Sequence, residues 1–174
     1  MSYLYVLIAI IMRVIPHPWN VTPIGAMFLF SGATFKRRLD SLLVPLAALI
    51  ISDYAVIHIL YGGRFSWINP YTWTGFLLVG LIGWILRNRI SYTSIIAGSL
   101  AGSVVFFLVS NFGVWMGGKL YPMTSSGLAA CYIAGLPFFR NTVIGDLVFA
   151  GVMFGSYQLI THRHEAVGAT AGQQ

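Results

Sequence analysis

Ten side chains stand out against the apolar stretches that carry them: Arg13, His17, Trp19, Asn20, Asp53, His58, Asn111, Arg140, Asn141 and Asp146. Their types suit the capture of a small solute. Guanidinium groups would hold an anionic or polar moiety, and aspartates would balance them. Carboxamides offer donors and acceptors together, and the Trp19 indole would stack on an apolar ring. Asp53 and Asp146 are also the residue types of an aspartyl dyad, although nothing in their spacing requires one. His17, His58 and Cys131 have metal-ligating atoms but no close-spaced ligand pair, so no metal is expected. HExxH, GxSxG and Walker motifs are absent, so no enzymatic activity and no cofactor are expected. The single cysteine excludes an internal disulfide.

The elements that position these groups follow from composition. Of 174 residues, 57% are hydrophobic and 8% charged, against about 25% charged in a soluble domain; mean hydropathy is +0.80. Such a chain satisfies its backbone in lipid as helices, and no sustained period-two alternation supports a barrel. The fold class expected is all-α, a polytopic membrane helical bundle in the inner (plasma) membrane, with membrane lipids as its surroundings. The net charge of +6 comes from scattered residues without a basic stripe, so no nucleic-acid partner is expected.

Hydropathy divides residues 1–161 into one transmembrane domain with segments near 3–15, 22–35, 41–62, 72–86, 94–116 and 138–161. Residues 162–174 read as a disordered cytoplasmic tail. MSYLYVLIAI lacks a basic leader region and a small-residue cleavage site, so it reads as a retained span. Alternate threading places Lys36-Arg37-Arg38, Arg87-Asn88-Arg89 and His162-Arg163-His164 on one side. Six of the ten Lys and Arg residues then share that side, which the positive-inside rule makes cytoplasmic. Six segments with both termini inside is the expectation. In the alternative, PHPWN kinks a single first crossing, leaving five spans and an external N-terminus. The opposite side receives PHPWN and two expected loops, 61–73 and 117–137.

In this threading every one of the nine polar groups, the ten without Trp19, falls in the outer half of the membrane or at its rim. Each costs a few kcal/mol in lipid. Pairing that only fixes helix packing accounts for any one of them, but it gives no reason for the inner half to be avoided. An outward-facing pocket does, and Pro-interrupted short segments are where transporters place such sites. The small residues of 97–103 (AGSLAGS) and of Gly25, Ala26, Ser31, Gly32 and Ala33 read as surfaces of close helix approach. Cys131 reads as a small buried hydrophobe.

The runs PHPWNVTPIGAMFLFSGATF, LIISDY, FFLVSNFGVW and YPMTSSGLAACYIAGLPFFRNTVIGDL resemble a family of small, uncharacterised bacterial membrane proteins. That family is in turn remotely similar to the substrate-binding S-components of energy-coupling factor transporters. The second resemblance implies an outer pocket for a vitamin- or cofactor-like solute and an energising partner made of a transmembrane subunit and ATPases. S-components often carry an AxxxA docking motif in their first helix; residues 3–15 have none, and the nearest equivalent is Ala97 with Ala101. The function expected is solute binding for uptake. The alternatives are an assembly protein whose polar cluster fixes helix packing, and an intramembrane enzyme.

Overall fold

The computed structural model describes residues 2–14, 21–56 and 70–171, which form six α-helices and, among the described residues, no strand. They are α1 (Ser2–Val14), α2 (Ile24–Thr34), α3 (Arg38–Ala55), α4 (Pro70–Leu86), α5 (Tyr92–Met116) and α6 (Ser125–Ala171).

The shortest helix is the core. In α2 every residue from Ile24 to Ala33 is buried, and α2 packs against each of the other five helices. A helix that is apolar on all sides needs an apolar neighbour on all sides, and here protein supplies it. Phe28 stacks on Phe76 of α4 with ring centroids 5.5 Å apart, and Phe30 meets Phe154 of α6 edge-on at 5.1 Å. Glycines set how closely α2 approaches α4. A Cβ on Gly32 would run into the Gly80 carbonyl oxygen, and one on Gly83 into that of Leu29. The small residues of α2 are therefore internal packing surface.

Local chemistry sets the ends. Pro70 opens α4, at a position where its missing N–H has no intrahelical partner to lose. Ser91 begins α5 with a capping box: its Oγ accepts from the Ser94 N–H at 3.2 Å and Ser94 Oγ accepts from the Ser91 N–H at 2.9 Å. Beyond α5, Gly118 turns the chain with φ +63°. Thr124 Oγ1 then accepts the Gly127 N–H at 3.1 Å, capping the start of α6.

Consecutive helices run in opposite directions. Arg87, just past α4, reaches the carbonyls that end α2, and Tyr3 near the start of α1 touches Phe35 and Asp40. The basic residues 36–38 and 87–89 thus share one end of the bundle. The C-terminal ends of α1 and α3 and the connection 117–124 fall at the other.

The outer surface is apolar. Ile96, Leu100, Val104, Leu108 and Phe112 form an exposed stripe along α5, and Leu4, Leu7, Ile8 and Ile11 do the same on α1. Among the described residues two helices are long and apolar enough to cross a membrane, α5 over Tyr92–Met116 and α6 over Ser125–Thr161. The apolar helices α1, α2 and α4 are shorter; α2, with 11 residues, is only about 16 Å long.

Two boundaries differ from the sequence expectation. The stretch 117–137, expected as one long loop, is a short connection followed by helix from Ser125. Pro137 does not interrupt that helix; neighbouring helices commonly stabilise a membrane helix through a proline. At the other end α6 runs to Ala171, carrying helix into the stretch expected as a tail.

Candidate functional site

Three of the outlying residues, from three helices, line one crevice at the end of the bundle away from the basic residues. Arg13 comes from the last turn of α1, Asp53 from the last turn of α3 and Asp146 from the middle of α6. The crevice encloses about 190 Å³. Thr22, Thr72 and Thr142 add hydroxyls, and Phe76 and Phe106 form an aromatic wall, stacked at 4.3 Å. A second crevice of about 350 Å³ adjoins it and shares Thr72, Phe106 and Thr142. That one is lined by Phe107, Phe138 and Phe139, with Ser110 and Asn111 as its further polar groups.

Asp146 is the most deeply placed charge, 6% exposed. Ser103 Oγ of α5 donates to its Oδ2 at 2.6 Å, and the backbone N–H of Ala26 donates as well. Ala26 lies in the first turn of α2, whose N–H groups have no intrahelical acceptor and whose dipole favours negative charge. Two glycines make this reach possible. A Cβ on Gly25 would overlap the Asp146 carboxyl group, with Cγ only 2.8 Å away, and one on Gly145 would press on the Val21–Thr22 backbone at 3.2 Å.

Arg13 and Asp53 form an ion pair, and Arg13 Nη1 also donates to Ser52 Oγ at 2.6 Å. Both side chains are about four-fifths covered. The pair joins α1 to α3 beside the N-terminus of α2. It is a pairing of the kind that fixes helix packing, and it places the Arg13 charge opposite a carboxylate rather than at a solute.

Asn111 faces the larger crevice from α5. Its Nδ2 donates to the Phe107 carbonyl at 2.9 Å, and Gly135 of α6 leaves room for its Oδ1, which a Cβ there would meet at 2.6 Å. Cys131 is buried and donates to the Asn111 carbonyl at 3.4 Å. Arg140 is exposed on α6 and lines neither crevice, and Asn141 beside it is half-buried. His17, Trp19, Asn20 and His58 lie outside the described residues. Asp53 and Asp146 share a crevice but have separate hydrogen-bond partners, unlike a dyad sharing a proton. Among the described residues no group of three or more His, Cys, Asp or Glu side chains converges on a point.

Sequence reasoning missed the three threonines, Ser103, Gly25 and the two phenylalanines. Ser103 and Gly25 stood in the small-residue runs read as packing surface. Their offset gives no sign that they converge on one carboxylate 43 residues from Ser103.

A family profile, "Family of unknown function (DUF6580)", matches residues 1–167, and the chain belongs to that family. No curated protein and no solved structure matches it.

Proposed function

We propose that this is a multi-pass inner-membrane protein that binds a small solute from the outer side, as an uptake transporter or its substrate-binding subunit. The observation that carries the reading is convergence. Arg13, Asp53, Asn111 and Asp146 come from four helices and meet around two adjoining crevices at one end of the bundle. Six alternating helices, an apolar outer surface and basic residues gathered at the far end support the orientation, since Lys and Arg mark the cytoplasmic side. Large exposed apolar faces on four helices fit lipid as the surroundings better than water. The short α2 then sits inside the bundle, surrounded by the other helices. The remote likeness to S-components would add an energising transmembrane and ATPase partner.

One observation favours the assembly reading for part of the site. The Arg13–Asp53 pair with Ser52 satisfies both charges without a solute, as a clamp between helices would. The Asp146 and Asn111 region is not accounted for in that way.

The test is mass spectrometry of small molecules released from protein purified in mild detergent, comparing the native chain with Asn111→Ala and Thr142→Val. A compound enriched in the native protein and lost from both variants at unchanged elution volume is the expected result. If nothing co-purifies in a manner that depends on these two residues, the crevices are packing defects and the assembly reading replaces this one.

A further inference from the structure

We infer that the solute is an organic monocation, with its charged nitrogen beside Asp146 and its apolar or aromatic body lying along Phe106 toward Asn111. The inference rests on reading the two crevices as a solute site and adds the ligand's charge and shape.

It starts from a charge count. The inner crevice has one cation, Arg13, and two carboxylates, Asp53 and Asp146. Arg13 is engaged by Asp53. Asp146 is held by a hydroxyl and a backbone N–H, neither of which brings a net charge. Among the described residues no Lys or Arg stands within ion-pair distance of it. A carboxylate buried to this degree, with no counter-ion among the described residues, is strongly disfavoured as an ion and calls for either a proton or a cation, and the fold nonetheless bends around it. Gly25 and Gly145 give up their side chains so that Asp146 can reach the start of α2. A cation arriving in the crevice completes the pair that the described residues leave half-made.

Shape and chemistry narrow the cation. Around Asp146 the crevice supplies threonine hydroxyls, phenylalanine rings and one further carboxylate, Asp53, already paired with Arg13, and no cluster of three metal-ligating side chains among the described residues, so the walls suit an ammonium-type group better than a divalent metal ion. Phe106 lines both chambers. Aromatic faces attract organic cations. The outer chamber, with Phe107, Phe138 and Phe139 on its walls and Asn111 among its polar groups, fits a single ring bearing a polar substituent.

The experiment is a ligand-dependent thermal-shift titration of the detergent-purified full chain. The probes are single-ring primary ammonium compounds, size-matched neutral alcohols and size-matched carboxylates, at constant ionic strength. Stabilisation by ammonium compounds alone is expected. Asp146→Asn should weaken their binding at least about tenfold, the scale of one buried charge pair. The comparison of ammonium with neutral and carboxylate probes on the native chain needs no variant, which covers the case of a poorly folding Asp146→Asn. Equal stabilisation by neutral or carboxylate probes, abolished by Asn111→Ala, overturns the cation while leaving the solute site standing. Survival of the ammonium preference in Asp146→Asn also overturns the cation. No stabilisation by any probe overturns both readings.

Discussion

The two ends of the bundle handle polar groups in opposite ways. At the basic end they are stitched into backbone. The Arg87 guanidinium reaches the Phe35 carbonyl, that of Gly32 at 3.3 Å and that of Lys36 at 3.4 Å, where α2 ends. The Trp84 indole donates to Ser41 Oγ at 2.8 Å, and Ser31 Oγ to the Ser41 carbonyl at 2.8 Å. At the other end charged and neutral polar groups from different helices surround open volume. Hydroxyl and cation bonded to carbonyls close one end; carboxylates beside an empty space leave the other unfinished. The first arrangement serves folding, and the second is the one that a ligand can complete.

Arg87→Ala should break the basic end most severely. It removes a charged donor from the carbonyls at the C-terminus of a helix buried on every side. Charged hydrogen bonds contribute about 1.5–3 kcal/mol each, and orphaned buried acceptors add to the loss; a destabilisation of about 3 kcal/mol is expected. Denaturant unfolding in detergent measures it. The comparison requires that ligand affinity of the surviving folded fraction be unchanged. A large affinity loss would mean that the ends are not independent.

Much of this division was legible in the sequence. Segment positions followed from hydropathy because the charged and Pro-Gly-rich interruptions are sharp, as at Lys36-Arg37-Arg38 and Arg87-Asn88-Arg89. The gathering of Arg13, Asp53, Asn111 and Asp146 at one end followed from alternating direction alone. What was not legible depended on long-range contact. The sequence IGAMFLFSGA reads the same whether lipid or protein surrounds it, so the central place of α2 was invisible. Pro137 looked like a loop end because a proline signals a break when its neighbours are unknown. Arg140 and Arg13 looked alike, but only one points at the site, and that is a matter of helix rotation.

Gly25→Ala attacks the site end. The added methyl group meets the Asp146 carboxyl and forces either that side chain or the start of α2 to move. Overpacking of this kind costs about 1–3 kcal/mol, near 2 here, and the Asp146 position is lost with it. Stability falls less than in Arg87→Ala, yet binding of ammonium probes should vanish. Calorimetric or thermal-shift titration of the variant reads this directly. Retained binding would detach Asp146 from the solute.

The smallest effect belongs to the Arg13–Asp53 pair, where clamp and site overlap. A double-mutant cycle with Arg13→Ala and Asp53→Ala should give a coupling of about 1 kcal/mol, since both groups keep some contact with solvent and exposed pairs contribute about 0.2–1 kcal/mol. Asp53→Asn separates the two roles. It keeps the side-chain shape but takes the charge count of the inner crevice from one net negative to neutral, with Arg13 now uncompensated. If the pair is only a clamp, Asp53→Asn lowers stability and leaves ammonium affinity where it was. If the crevice acts through its summed charge, the same variant weakens ammonium binding several-fold, though less than Asp146→Asn, because the lost charge lies farther from the ligand nitrogen. The ratio of the two affinity losses therefore measures how far the site end works as one electrostatic unit rather than through a single carboxylate.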